Sequence, residues 1–395
     1  MKKTLLILSG IIFSSYGIHA QNVNIPDANF KAYLLGNSAI NTNSDSEIQL
    51  TEAAAFTGNI FGNNLGITDL TGIEAFTSLD GLYCRDNNLG AIDISMNTAL
   101  TYVDCQNTGL SDLNISTNTA LTGINCSMNN LTSLDVSTNT ALTAINCSNN
   151  DITSLDLSNV PLLSNFSCDN NSLTSLDVSN NTALVYFVCH FNNLSSIDVS
   201  NNTALSHFSC SGNNLSSLDV SSNTSLGNLY CAVNGILNLD LSANTSLVLL
   251  RCDDNNLITL NVANGNNTNI TTFYADSNPN LTCIEVDDAV YSTSNWTNID
   301  ATASFSEDCN YAIGIEEENL DQTISIYPNP VATSTIQINT DVSIVSIKMI
   351  DAFGKKIPCE VSAAHSVDVS NLSNGVYFLQ IVTEKGFVNK PFIKE

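Results

Sequence analysis

Basic residues are scarce in this chain of 395 residues: 11 Lys and Arg stand against 38 Asp and Glu, a net charge of −27 at pH 7. So one-sided a balance leaves no basic surface for nucleic acid or an anionic membrane. Charged residues of both signs make up only 12% of the chain, and proline (7) and tryptophan (1) are rare. Nineteen glycines are too few for a collagen-like chain, and 43% hydrophobic residues are too many for bulk disorder. After the first twenty positions no run of 18 apolar residues occurs, so no membrane-spanning helix is expected in the mature chain. Catalytic signatures are missing too. There is no H-E-x-x-H, G-x-S-x-G or P-loop sequence, and one of the four histidines, His19, lies in the leader. An enzyme is not expected.

Residues 1–20 read as a secretory signal peptide: Lys2 and Lys3 supply the positive end, Leu5 to Phe13 the apolar stretch, and the cut falls before Gln21. Ile18 is larger than the small residue usual three positions before such a cut. Charge is then unevenly divided. Residues 322–395 carry six lysines and six acids, whereas residues 21–321 carry three basic residues (Lys31, Arg85, Arg251) and 32 acidic ones, a balance of −29. That step separates two units.

Repetition dominates the first of them. Nine cysteines, Cys84, Cys105, Cys126, Cys147, Cys168, Cys189, Cys210, Cys231 and Cys252, follow at intervals of 21. Around each the same frame recurs, as in Leu121-xx-Ile124-x-Cys126-xx-Asn129-x-Leu131-xx-Leu134-x-Val136. Alternating apolar positions mark a short strand with one buried face. A unit of this size cannot bury that face alone, so coils must stack into a solenoid with one continuous core. Two asparagine columns mark the bends. Asn87, Asn129, Asn150, Asn171, Asn192, Asn213, Asn234 and Asn255 follow the strand, with Thr108 as the break; Asn97, Asn118, Asn139, Asn181, Asn202, Asn223 and Asn244 mark the opposite bend. Buried amides there can bond backbone groups that the bends leave unpaired.

The frame resembles the leucine-rich repeat L-xx-L-x-L-xx-N-x-L with Cys in place of the second strand Leu, over about residues 60–286. Cysteine-ladder internalins show the same substitution. The expected fold is therefore mainly β: a leucine-rich-repeat solenoid of about eleven coils, a small helical N-terminal cap, and a small β-sandwich C-terminal domain. The division reads as a signal peptide (1–20), a cap (21–58), the solenoid (59–286), a C-terminal cap (287–309), an acidic linker (310–321) and the C-terminal domain (322–395).

Nine cysteines in one inward column suit a ladder of small buried hydrophobes better than disulfides, because neighbouring parallel side chains point the same way. Cys283 and Cys309 differ. Cys283 sits at an outward position and Cys309 in the irregular tail, so a disulfide closing the end of the core is expected, contributing about 3 kcal/mol.

Two features raise calcium as a cofactor. Asp93, Asp135, Asp156, Asp177, Asp198, Asp219 and Asp240 form an outward acidic column, with Asn114 substituting once. Asx turns on nearby Ser residues or bound cations would each offset their repulsion. In the cap, Asn41, Asn43, Asp45, Glu47, Ile48 and Glu52 match positions of an EF-hand loop, but Asn41 replaces the leading Asp and Ser46 the turn Gly. A loop kept for its shape and an occupied site both remain open.

In this repeat the residues beside the inward strand positions line the concave surface. Most coils place Ser, Asn or Gly there, but later coils present Tyr186, Val188, His190, Phe191, His207, Tyr230, Arg251 and Tyr274. Such anchors suit an extracellular protein or a glycan. Drift on an unconstrained surface is the bland alternative.

After residue 321 short alternating runs read as a small all-β sandwich. Tyr327-Pro328-Asn329-Pro330, Asp351-Ala352-Phe353-Gly354-Lys355, Asn374-Gly375-Val376-Tyr377, Lys385-Gly386 and the terminal Lys390 to Lys394 resemble the type A sorting domain of the type IX secretion system. The resemblance implies recognition by the outer-membrane translocon, removal by its C-terminal-domain-processing protease, and release or attachment at the cell surface. The expected function is an exported binding protein; a structural surface coat without a specific ligand is the alternative.

Overall fold

The computed structural model describes residues 21–309, 324–351, 356–357, 366–383 and 386–395. The expected signal peptide (1–20), the expected acidic linker (310–321) and Gly354 lie outside the described residues. The chain forms two compact units, residues 1–307 and 308–395.

In the first unit, α1 (Ala28–Gly36) and α2 (Leu50–Ala55) form the N-terminal cap. The Asp27 carboxylate caps α1 by accepting the Asn29 and Phe30 N–H groups, and Phe30 and Leu34 are buried. Short strands follow at coil spacing: β1 (Asn59–Phe61), β2 (Gly81–Tyr83), β3 (Tyr102–Asp104), β4 (Gly123–Asn125), β5 (Ala144–Asn146), β6 (Asn165–Ser167), β7 (Tyr186–Val188), β8 (His207–Ser209) and β9 (Asn228–Tyr230). Next come β10 (Asn238–Asp240), β11 (Leu249–Arg251), β12 (Thr259–Asn261), β13 (Thr272–Ala275), β14 (Cys283–Glu285), α3 (Ala289–Asn295), β15 (Asn298–Ile299) and β16 (Ser304–Ser306).

Twelve strands, β1 to β9 with β11, β13 and β15, make one sheet. The last of these comes from residues that the sequence assigns to the cap, so the sheet is one strand longer than the eleven coils expected. A second, four-stranded sheet, β10-β12-β14-β16, covers the other side of the final coils and had no separate signal in the 21-residue frame.

Register explains the frame. Each central strand residue pairs with its counterpart one coil on, as Phe166 with Phe187 and Phe187 with Phe208. These residues point inward and are fully buried. The three phenylalanines stack with ring centroids 5.6 and 5.3 Å apart, and burying each contributes about 1.5–3 kcal/mol. The nine ladder cysteines are all free and buried. The sulfurs of Cys84, Cys126, Cys147, Cys168 and Cys252 face a carbonyl of the next coil, as Cys84 Sγ and Asp104 O at 3.4 Å. Burial pushes the Cys84 and Cys126 thiols up to about 12.

The chain leaves the sheet through one left-handed residue per coil. Asp86, Asn107, Met128, Asn149, Asn170, Phe191, Val233, Asp254 and Ser277 all have φ between 51° and 58°, and Gly212 fills the same place at 63°. Without a glycine signature this column is invisible in the sequence, and it costs bulky residues such as Phe191 and Val233 about 1–2 kcal/mol each. The turn swings the next asparagine inward. Asn150 Nδ2 donates to Cys126 O (3.1 Å) and Cys147 O (3.0 Å), while its Oδ1 accepts from Leu131 N at 2.9 Å. Asn278 extends the column beyond Asn255, with Nδ2 donating to Cys252 O and Ala275 O. At the break, the Thr108 hydroxyl donates to Cys105 O at 2.7 Å and so takes over part of the amide's work. The second column is fully buried, and its amides donate across coils, as Asn118 Nδ2 to Ile94 O and Asn97 O. At the far end Trp296 stacks on Phe273 at 4.3 Å and donates Nε1–H to Ile270 O.

The C-terminal unit holds β17 (Ser325–Tyr327), β18 (Thr335–Asn339), β19 (Ile344–Asp351), β20 (Lys356–Ile357), β21 (Ser366–Asp368), β22 (Gly375–Thr383) and β23 (Gly386–Lys394). They form two antiparallel sheets, β17-β18-β21 and β20-β19-β22-β23, around one core that includes Ile336, Met349, Leu379 and Phe392.

Candidate functional site

The outer face of the twelve-stranded sheet carries two side-chain columns, one from the first and one from the third residue of each strand. In the first column Tyr186 pairs with His207, and in the third-residue column Tyr230 pairs with Arg251 and Arg251 with Tyr274. The rings meet across these columns. His207 stacks on Tyr186 at 4.4 Å and 15° and leans on Tyr230 at 5.3 Å. Half-burial between them lowers the His207 pKa below its ordinary value, so the ring is neutral at pH 7. Arg251 lies 4.9 Å over the Tyr274 ring, and Asp253 holds the guanidinium with two bonds of 3.1 and 2.8 Å. Seven of the eight expected residues thus form three contact groups, since His190 and Phe191 meet each other edge to face at 5.2 Å. His190 also sits 3.5 Å from an Asp169 oxygen and 3.2 Å from Ser209 Oγ. Phe191 is 56% exposed, and its ring occupies the space above Gly212, where a Cβ would collide with it.

Val188 is the exception. It belongs to the outward column, yet only 6% of it is exposed, because its neighbours close over a side chain with no long reach. It offers a ligand almost nothing. Conversely, a second aromatic row is present that the sequence reading missed. Phe61 stacks on Tyr83 at 4.9 Å and Tyr83 on Tyr102 at 5.3 Å. The signal was there: Tyr83 and Tyr102 occupy the same frame positions as Tyr230 and Tyr186.

The acidic column faces solvent, and each carboxylate closes an Asx turn. The Ser95, Ser137, Ser158, Ser179, Ser200, Ser221 and Ser242 N–H groups donate to the Asp two residues before them. The Ser137 side chain and N–H hold Asp135 below the usual carboxylate range, and Asp177 and Asp198 follow the same pattern.

The loop between α1 and α2 turns its groups toward its own donors. Glu47 pairs with Lys31 at 2.8 Å, and Asp45 accepts from Asn43 and Gln49 side chains at 2.9 Å. Asn41 is buried and donates to Leu35 O and Asp45 O. Burial opposes ionisation of Glu52, but donors from Gln49, Thr42 and Asn43 outweigh it and hold the pKa low. Among the described residues no three His, Cys, Asp or Glu side chains come together as a metal-holding group.

Cys283 and Cys309 are both disulfide-bonded. In the C-terminal unit the Tyr327-Pro328-Asn329-Pro330 segment docks on the last strand. Asn329 donates to Pro391 O and accepts from Ile393 N, both at 3.0 Å. Tyr377 donates to Ser373 O at 2.9 Å and stacks on Phe392. Gly375 and Gly386 open β22 and β23, and Lys390 lies opposite Leu379.

Comparison with known proteins agrees with this architecture at both ends. A family described as a secretion system C-terminal sorting domain matches residues 325–395. The solved functional domain of InlJ from Listeria monocytogenes, described as including a cysteine ladder, is 25% identical, covering 95% of this chain and 98% of that one, with a TM-score of 0.43. An internalin of the same species, InlF, is 18% identical over 75% of this chain and 96% of that one, with a TM-score of 0.58. The chain is a cysteine-ladder leucine-rich-repeat solenoid with a type IX sorting tail. A leucine-rich-repeat protein of Leptospira interrogans shares the solenoid fold at 16% identity, over 65% of this chain and 80% of that one, with a TM-score of 0.51. No curated protein matches. The sorting tail implies secretion or surface attachment, and among the described residues no helix is long and apolar enough to cross a membrane.

Proposed function

We propose that this solenoid is an exported binding protein that engages an extracellular protein or glycan through the outer face of its long sheet. One observation carries the reading. On a face where most coils present Ser, Asn or Gly, Tyr186, His207 and Tyr230 form a contiguous ring stack, and Arg251 and Tyr274 follow it in register. Tyr and Arg supply much of the energy at interface centres, and their rings here are held in place by each other before any partner arrives. The neutral C-terminal unit serves export: after loss of the signal peptide, the type IX translocon reads it and the processing protease removes it. The chain divides accordingly into cap (21–58), solenoid (59–286), end cap (287–309), linker (310–321) and sorting domain (322–395).

Binding of the secreted protein to immobilised extracellular-matrix proteins and to a glycan array tests this reading against a variant carrying Tyr186→Ala and Tyr230→Ala. Loss of retention with an unchanged melting curve supports it. Retention equal to that of the unaltered protein overturns it and leaves the surface-coat alternative.

A further inference from the structure

The longest gap between aromatic side chains on the outer face is itself a site. The first-residue column runs Tyr102, Gly123, Ala144, Asn165, Tyr186 in continuous register across β3 to β7. Two tyrosines therefore stand four strands apart, ~19 Å at the usual strand spacing. Between them only small or short polar side chains rise from the sheet, leaving a cleft of about 330 Å³. Gly123 is needed for its shape. A Cβ there would lie 2.8 Å from the Tyr102 ring, so the absent side chain lets that ring lie over β4 as one wall. Tyr186 forms the opposite wall, backed by its stack on His207.

We infer that this cleft binds an uncharged oligosaccharide, a proposal that rests on the outer face being the binding surface. The chemistry of the lining selects that class. No charged side chain lines the cleft, and Asn125, Asn146, Asn165 and Ser167 form its polar part. Asn125 is fixed: its Oδ1 accepts from Ser127, and its Nδ2 donates to Asp104 and Gln106. Asn146 spends its Oδ1 on the Ser148 N–H, and Asn165 spends its Nδ2 on Ser164 Oγ at 2.9 Å. The remaining capacities are Asn146 Nδ2 as donor, Asn165 Oδ1 as acceptor with its second Nδ2–H as donor, and the Ser167 hydroxyl as both. Sugar hydroxyls, each donor and acceptor at once, match that set, while the C–H faces of a pyranose suit tyrosine rings. Volume and lining both fall in the range of small-ligand sites. An extended peptide gains most from backbone bonds at a sheet edge, which a sheet face cannot give. Anionic polymers meet Asp104, which accepts from the lining Asn125, and a repeat region of −29.

The test uses the full secreted chain on an array of neutral glucan, mannan and galactan oligosaccharides with sialylated and sulfated counterparts, followed by calorimetric titration of the strongest neutral binder. Tyr102→Ala and the cleft-filling Ala144→Leu are each expected to weaken that binder about tenfold or more. Val290→Ala, exposed on α3 and outside both the cleft and the ring stack, should leave it within about twofold. Melting curves for all three should match that of the unaltered chain. Retention of charged glycans only, retention of none, or unchanged affinity in both Tyr102→Ala and Ala144→Leu overturns the proposal. Tyr102 and Ala144 lie outside the stack of Tyr186, His207 and Tyr230, so failure of this site leaves Tyr102→Ala and Ala144→Leu unchanged, whereas failure of the wider binding reading leaves the Tyr186→Ala, Tyr230→Ala variant unchanged.

Discussion

Nine buried thiols make this fold sensitive to alkali, and the size of the effect follows from the ladder. Burial pushes Cys84 and Cys126 up to about 12, and it raises the other seven in the same direction. In the unfolded chain a thiol titrates near ~8.5. Below that pH both states hold the proton and the thiols do not affect stability. Above it the unfolded chain releases protons that the native chain keeps, so stability falls as pH rises, until the native thiols themselves ionise. For a native value of about 12 the loss per thiol is ~0.8 kcal/mol at pH 9 and ~2 kcal/mol at pH 10. Cys84 and Cys126 together lose ~2 and ~4 kcal/mol at those two pH values, and the other seven thiols, raised in the same direction, add to that loss, against the ~5–15 kcal/mol that holds a typical domain together. The solenoid is therefore expected to lose stability progressively above about pH 8.5. Urea midpoints measured by circular dichroism at half-unit steps from pH 7 to 10.5, with reductant present, check this. Trp296, the single tryptophan, reports the end cap separately. Replacing Cys126 and Cys147 together by Ala lowers stability at pH 7 but should flatten the alkaline slope by ~1.4 kcal/mol per pH unit for each thiol removed. A urea midpoint that does not fall between pH 8.5 and 10.5, or an unchanged slope in the double variant, would refute the reasoning.

Asn150→Leu strands two carbonyls and one N–H in the bend and should cost about 3–6 kcal/mol in urea denaturation, whereas Asp156→Ala on the exposed row should move the midpoint far less. Thermal melts in excess calcium and in chelator should superimpose, because the Lys31 ammonium and the loop's own N–H groups already occupy the carboxylates of the cap; a calcium-dependent rise in melting temperature would refute that. Alkylation of the native protein without reductant, read by intact mass, should leave Cys283 and Cys309 unlabelled; labelling of both would remove the bridge. Lowering the pH through the depressed His207 pKa charges a ring wedged between Tyr186 and Tyr230, so partner binding through that row should weaken on acidification in surface plasmon resonance, and a His207→Phe variant should lose the dependence.

Much of this was legible because the coil is short and its period unbroken. A residue's place in the 21-residue frame decides its face, so the inward cysteines, the bend asparagines and the outward aspartates could each be placed from one unit. The sorting segment was legible as motif pieces in order. Other features depend on neighbours rather than on frame position. Val188 and Tyr230 share a column, yet one is covered and the other reaches out, since coverage depends on the side chains one coil away. The left-handed turn falls on Phe191 and Val233 as readily as on Asn149, because coil geometry imposes it against local preference. Whether the cap carboxylates face an ion or their own donors depended on the positions of Lys31 and Thr42, which no spacing encodes.

Sequence alone determined that this chain is an exported repeat with a thiol ladder inside, an acid row outside and a sorting tail, since one-dimensional periodicity carries face and register together. Tertiary structure decided where a ligand can sit. A cleft is defined by what is missing between two walls, and only stacking five strands in register brings Tyr102 and Tyr186 to either side of Gly123 and Ala144.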